Sequence, residues 1–297
     1  MSNPILKAKD ISITFGALKA VTDFNLEIKE NELVGLIGPN GAGKTTLMKI
    51  LATLINMDEG SISFDGINWN NKNEVKEIIG YLPQEFSLYK DVTLYDVLYY
   101  IGNLKGLKKA ELSAEVQRVL SITKLENEKT KKIKQLSGGM LRRAGIAQAL
   151  LGKPKILIID EPTVGLDPER RIEFRNLINE LADDITLVIS THIVEDIEST
   201  CNNICILDNG NVIFVGTINE LKSLANGKIY EEILSKESFS KLNNKISIIN
   251  IKYINDKVLV RFIASEIFDE FEFSPISSEP TLEDSYFYLR NIKRYEQ

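Results

Sequence analysis

Gly38, Pro39, Asn40, Gly41, Ala42, Gly43, Lys44, Thr45 and Thr46 put three glycines, a lysine and two hydroxyls into nine consecutive residues. Glycines at these spacings let the backbone turn its N–H groups inward, which makes a cradle for phosphate oxygens. Lys44 would then reach the β- and γ-phosphates of a nucleotide, and the Thr45 hydroxyl suits Mg²⁺. Asp160 and Glu161 form a second chemical pair, directly after the apolar run Ile156 to Ile159. A carboxylate at the C-terminal end of a buried strand stands where α/β sheets bind ligands. Asp160 suits Mg²⁺ through water, because that ion keeps part of its hydration shell. Glu161 follows it and points elsewhere, free to polarise an attacking water as phosphoryl transfer to water requires. A third feature, Leu136 to Met140 (LSGGM), supplies another anion site that the first loop does not need.

The elements that must position these residues are legible from periodicity. Asn31 to Ile37 ends in the apolar run LVGLI and reads as a buried strand; TTLMKILATLI after Lys44 reads as a helix. That helix begins near Gly43 and adds its positive end to the phosphate site. Antiparallel strands near Ile5 to Thr14 and Phe24 to Ile28 would flank this core and carry Phe15. Strands at Ser61 to Phe64 and Ile78 to Leu82 lead to Gln84. From about Tyr89 to Gln135 the chain turns helical, with amphipathic spacing over Thr93 to Lys105 and Lys109 to Ser121. Ile204 to Leu207 and Val212 to Val215 read as strands around an Asn-Gly turn, and Thr217 to Leu224 as a short helix.

At this point the chain resembles the ATP-binding cassette (ABC) transporter ATPases, over about residues 4 to 222 and with the motifs in the right order. LSGGM looks like the ABC signature, with Met140 in place of the commoner Gln. Ser137 at an N-cap, with Gly138 and Gly139, would present a helix N-terminus to the γ-phosphate bound by a second copy. Each ATP would thus be held between two copies. Gln84 in GYLPQ matches the Q-loop glutamine, which touches Mg²⁺ and water and senses the transport domain. Val164 to Asp167 (VGLD) matches the D-loop, with Gly165 replacing an Ala. His192, the sole histidine, follows the run TLVIS and matches the switch histidine that contacts the γ-phosphate. Phe15 fits the aromatic that stacks on adenine, where the family more often has Tyr.

The resemblance implies an α/β P-loop NTPase. Its ABC-type ATPase core, residues 1–224, would carry an antiparallel β subdomain and a helical subdomain at about 89–145. Catalytic roles fall to Glu161, His192, Lys44 and Gln84; Mg²⁺ would be held by Thr45, Gln84 and Asp160. ATP would contact Phe15, residues Gly38 to Thr46, Ser137 to Gly139 and Asp167. The expected partners are an integral membrane permease and a second ATPase copy. Composition shifts after Ala225-Asn226-Gly227, with no glycine beyond Gly227. Strands at Ile229 to Leu234, Ile246 to Tyr253 and Val258 to Ile263, with helices near Glu237 to Leu242 and Thr281 to Ile292, make residues 225–297 a small α+β domain. It resembles the C-terminal accessory domain of drug, antibiotic and bacteriocin exporter ATPases.

Composition narrows the alternatives. At 297 residues, one large or two modest domains are expected, and 43% hydrophobic residues can build a core. A net charge of −6 argues against a nucleic-acid partner, which usually meets a basic face. No stretch approaches the ~20 apolar residues that span a membrane. The opening MSNPILKAKD has no apolar signal core, so a cytoplasmic chain is expected, peripheral on the inner face of the cell membrane through its permease. Asn71 to Glu74 (NKNE) superficially resembles a guanine-reading motif, but ends in Glu after a polar stretch and reads as a surface loop. A soluble ABC ATPase acting on nucleic acid or ribosomes would usually show fused cassettes, coiled coils or basic arms. A small-molecule kinase would leave LSGGM, Gln84 and His192 without a role. Cys201 and Cys205 have no local histidine partner and read as buried reduced thiols. Five of the ten tyrosines fall between Tyr81 and Tyr100, beside Phe86, Leu88, Val92 and Leu94. Part of that is core; the rest suits insertion of a short amphipathic helix from the permease.

Overall fold

The computed structural model describes residues 5–241, 246–264 and 276–295. Its first two strands, β1 (Leu6–Phe15) and β2 (Leu18–Ile28), pair antiparallel and turn at Gly16. Leu6, Ala8, Ile11 and Ile13 of β1 are buried, the pattern of a half-buried strand. β3 (Leu33–Ile37) is buried at every position, so an unbroken apolar run marks a strand covered on both faces. α1 (Lys44–Leu51) follows directly, then β4 (Glu59–Phe64), β5 (Ile67–Asn68), α2 (Lys72–Ile78) and β6 (Ile79–Leu82).

The segment read as a surface loop at Asn71 to Glu74 is instead the start of α2. Asn71 is its N-cap, and Val75 is its one buried residue among the described positions. So short a helix with one core contact leaves almost no apolar period to read. The helical region comprises α3 (Leu94–Leu104), α4 (Lys109–Ile122) and α5 (Gly138–Leu150). Thr93 caps α3 by accepting from Asp96 N–H at 3.2 Å.

β7 (Ile156–Asp160), α6 (Pro168–Ala182), β8 (Thr186–Thr191), α7 (Val194–Glu198), β9 (Asn203–Asp208) and β10 (Asn211–Thr217) complete the core. Among the described residues, one sheet has the order β2-β1-β4-β5 and a second has the order β10-β9-β3-β8-β7-β6. β3 lies between β8 and β9, and β7 between β6 and β8, all parallel. The loops after β3, β6, β7 and β8 therefore leave the same edge of the sheet. Those loops carry Gln84, Glu161 and His192, and the first leads directly into Lys44 at the start of α1.

The remaining elements are α8 (Ile218–Leu224), β11 (Ile229–Ser235), α9 (Lys236–Lys241), β12 (Ser247–Ile254), β13 (Lys257–Ile263), β14 (Ile276–Ser277) and α10 (Leu282–Tyr295). The helix read over Glu237 to Leu242 appears as α9; Leu242 lies outside the described residues. The chain divides into compact units at Met1–Val215 and Gly216–Gln297. This division by contacts falls within β10, and α8 packs against α10. In the second unit the sheet order is β12-β13-β11-β14, over a core of Tyr230, Leu234, Val258, Val260 and Phe262. Arg261 on β13 binds Asp284 at the start of α10 through both Nε and Nη2, and Glu231 on β11 through Nη1.

Candidate functional site

The loop between β3 and α1 wraps a cleft of about 490 Å³. Gly43 holds φ at 99°, and a Cβ there would lie 2.4 Å from Ala20 O, so both conformation and space require glycine. The Asn209-Gly210 turn braces the loop: Gly210 N–H donates to Ala42 O at 3.1 Å. Phe15, Asn40 to Thr46, Gln84, Glu161 and Asn209 all line the cleft. Phe15 is 50% exposed at its edge, which sets it apart from the buried aromatics of the core.

Three sequence-distant side chains meet at Glu161, which lines the cleft together with Lys44. Lys44 Nζ donates to Gly38 O at 2.8 Å and Pro39 O at 3.2 Å, and lies 3.3 Å from Glu161 Oε1. The other oxygen of Glu161 lies 2.6 Å from His192 Nδ1. Glu161 is buried and sits at φ 47°, a left-handed conformation that non-glycine residues hold only where the surroundings impose it. Its N–H donates to Ser190 O at 3.1 Å and Ser190 Oγ at 3.0 Å.

Ser190 Oγ in turn donates to Asp160 Oδ1 at 2.5 Å. Asp160 is fully buried, yet its Oδ2 has no hydrogen-bond partner among the described residues. A desolvated carboxylate oxygen without a donor is costly unless a cation or its water completes it. The Tyr81 hydroxyl is likewise buried and unpaired; burial, reinforced by the charge of Asp160, pushes it up to about 12. The donor set of Asp160, Thr45 and Gln84, all oxygen, is that of a hard divalent ion, so these residues fit Mg²⁺.

The LSGGM loop lies elsewhere. Ser137 caps α5 by accepting from Met140 N–H at 3.3 Å, and nothing stands within 4 Å of a Cβ built on Gly138. Ser137, Gly138 and Gly139 do not line the 490 Å³ cleft of their own chain. Gly138 instead borders a smaller cavity of about 270 Å³ with Gln84, Phe86, Arg142, Val164 and Gly165. Asp167 caps α6, accepting from Arg170 N–H at 3.0 Å, and is exposed. Cys201 and Cys205 are free and buried, and burial pushes both thiols up to about 12, which makes them inert.

Sequence reasoning missed two residues. Ser190 closes the run TLVIS, and a hydroxyl at the end of an apolar run is the one signal that could flag it. Arg142 donates to Gln84 O at 2.8 Å and places its guanidinium 5.7 Å from the centre of the Phe86 ring, tying the loop after β6 to α5. No local pattern announces that contact.

A P-loop on β3, a carboxylate pair on β7, a histidine after β8 and a glycine-opened α5 together define an ATP-binding cassette. The family model for ABC transporters matches residues 21–164. The chain belongs to the ABC transporter ATP-binding proteins, and it is an ATPase subunit of that class. It is 36% identical over 237 residues to the uncharacterized ABC transporter ATP-binding protein YxlF of Bacillus subtilis, covering 80% of this chain and 79% of that one. The linearmycin resistance ATP-binding protein LnrL of the same organism is 33% identical, over 85% of this chain and 81% of its own. Nod factor export ATP-binding protein I of Burkholderia lata is 35% identical, over 72% and 71% respectively. Among solved structures, cbiO1 of Clostridium perfringens, part of the ABC transporter complex cbiONQ, superposes with a TM-score of 0.69 at 29% identity, covering 75% of this chain and 92% of that one. The dimeric structure of the bacterial ABC transporter cassette MJ0796 gives a TM-score of 0.63 at 29% identity, over 71% and 98%.

Proposed function

We propose that this chain is the ATP-hydrolysing subunit of an export-type ABC transporter, acting as a dimer on a separate integral membrane permease at the inner face of the cell membrane. Relatives named for linearmycin resistance and Nod factor export favour export as the direction. No helix among the described residues is long and apolar enough to cross a membrane.

The observation that carries the dimer is the position of Ser137 to Gly139, outside the nucleotide cleft of their own chain while Gly138 stands open. A helix N-terminus capped by Ser137 is an anion site, and the second copy's γ-phosphate is the anion it suits. Asp167, exposed at the head of α6, would join the same dimer face.

ATP would stack its adenine on Phe15 and thread its phosphates through the loop from Gly38 to Thr46. Lys44 then leaves the carbonyls of Gly38 and Pro39, and its pairing with Glu161, for the β- and γ-phosphates. Thr45, Gln84 and Asp160 would hold Mg²⁺, which when bound would supply charge neutralisation to the phosphates. Glu161, released from Lys44 but still oriented by His192 and Ser190, takes a proton from the attacking water. His192 holds the carboxylate and meets the γ-phosphate oxygen as charge develops on it. ATP binding closes the dimer; hydrolysis removes the γ-phosphate that bridges it and reopens it.

The test uses the full chain. Size-exclusion chromatography of Glu161→Gln with ATP should show a dimer that is lost when ATP is removed, and the membrane protein that co-purifies with the wild type should be a multi-span permease. A chain that stays monomeric at saturating ATP, with turnover first order in protein, would sink the dimer reading.

A further inference from the structure

A basic ribbon lies apart from the nucleotide cleft. Residues 90–95 and 129–134 run antiparallel, pinned by four main-chain hydrogen bonds: Leu94 N–H to Lys131 O, Tyr95 N–H to Lys129 O, Ile133 N–H to Val92 O and Lys134 N–H to Lys90 O, at 2.9 to 3.0 Å. Ile133 and Leu94 are buried beneath it, so the ribbon is anchored in the helical region rather than hanging in solvent. It carries five lysines, Lys90, Lys129, Lys131, Lys132 and Lys134, against one acid, Asp91. Lys90, Lys131, Lys132 and Lys134 are exposed. Asp91 pairs with Lys134 at 2.5 Å, and Glu128 just outside the ribbon pairs with Lys131 at 2.6 Å. This concentration of positive charge stands on a chain whose net charge is −6. Beside it Tyr89 is 62% exposed and packs edge-on against exposed Tyr100, with Val92 also exposed.

We propose that this ribbon is a contact surface for anionic lipid headgroups, so that the ATPase subunit touches the membrane directly as well as through a permease. Lysine ammoniums on flexible stems are point charges without the fork geometry that reads a defined carboxylate. Lysine is depleted at protein–protein interfaces, whereas clustered lysine suits a diffuse negative surface. Tyrosine at the edge of such a cluster is the residue type enriched at the membrane–water interface. Charge, flexibility and aromatic edge all match a lipid surface better than an acidic protein loop. The inference does not depend on the dimer or on hydrolysis.

The experiment is flotation of the purified full chain with vesicles of roughly one part phosphatidylglycerol to three parts phosphatidylcholine, without permease or nucleotide, against pure phosphatidylcholine. The chain should float with the anionic vesicles only, and rising salt should release it. Each lysine is worth about five-fold in partitioning, so K131Q/K132Q/K134Q should bind about 100-fold more weakly with unchanged ATPase activity. K236Q/K252Q/K257Q, which removes the same charge from the second unit, should bind as the wild type does. Equal partitioning onto neutral and anionic vesicles, or undiminished binding of the first triple variant, would overturn the proposal. So would a wild type that ignores vesicles while the first triple variant loses its permease in detergent, since the ribbon would then be a protein-docking surface.

Discussion

Lys44 Nζ lies 3.3 Å from Glu161 Oε1, with both side chains almost wholly buried. In the proposed mechanism, the lysine that would serve the phosphates is thus held by the carboxylate that would serve the water. Each is unavailable for its task until a nucleotide separates them. A buried ion pair that loses one partner leaves an uncompensated charge, so the carboxylate competes with an arriving phosphate for Lys44. Glu161→Gln removes that competition and the general base together. ATP affinity, measured with a fluorescent nucleotide, should therefore be kept or rise several-fold. Turnover should fall by about 10²-fold or more. Near-normal turnover in this variant would end the assignment of Glu161.

His192→Ala tests the other contact of the same carboxylate. Its Nδ1 lies 2.6 Å from Glu161 Oε2, and the ring is the sole imidazole of the chain. Losing it frees Glu161 to swing and removes a γ-phosphate contact, with an expected drop on the order of 10²-fold in kcat. Nucleotide affinity should change little. A loss confined to KM would assign His192 to ground-state binding instead.

The sequence made the strand-end residues legible because their signals are local. Asp160 and Glu161 close an apolar run, His192 follows another, and Lys44 sits in a glycine loop between strand and helix. Parallel pairing of β3, β7 and β8 then brings them together, and strand-helix alternation already implies that pairing. Contacts between side chains far apart in the chain were not legible. Ser190 bridging Asp160 to the Glu161 backbone depends on the β7–β8 register. Arg142 reaching Gln84 depends on where α5 packs.

Ser137→Arg separates the dimer from the monomer. The residue lies outside its own nucleotide cleft, so monomeric ATP affinity should stay within about two-fold of the wild type. A guanidinium at a helix N-terminus adds bulk and the wrong charge, which should abolish ATP-induced dimerisation and with it turnover. Equilibrium nucleotide binding and light scattering on the same preparation decide it. A variant that no longer binds ATP as a monomer would place Ser137 in the cis site.

The aromatic cluster after β6 splits in two, and its members should respond differently. Leu88 and Leu94 are core; Tyr89, Val92 and Tyr100 are exposed. Phe86 packs on α5, where a Cβ built on Gly145 would come within 2.6 Å of its ring, and it carries the Arg142 guanidinium. Phe86→Asp should therefore disturb the isolated subunit, lowering its thermal midpoint by several degrees and impairing turnover. Tyr89→Asp should leave the isolated subunit folded and active yet weaken its association with the permease in detergent, where no bilayer is present. Co-purification in detergent, beside a melting curve of each variant, checks both. Undiminished association of Tyr89→Asp would put the permease contact elsewhere.

Acid should loosen the second unit through Asp284. Burial alone would push its carboxyl up. Hydrogen bonds from Arg261 and from Thr281 outweigh burial and hold it below its ordinary value of 3.8. A carboxyl depressed in the folded state contributes stability that is complete above its unfolded value and is lost as pH falls through the folded one. The contribution should thus be intact at neutral pH and disappear below about pH 4. Hydrogen exchange read by mass spectrometry in β11 and β13 should show protection falling over that range. Fluorescence of Trp69, the single tryptophan and a buried residue of the first unit, reports separately on that unit. Asp284→Asn keeps the shape but leaves Arg261 short of a full charge partner, costing about 2–3 kcal/mol at neutral pH. It should also flatten the acid dependence of exchange in β11 and β13. A variant with wild-type protection at neutral pH and an unchanged acid profile would show that the Arg261–Asp284 pair holds nothing together.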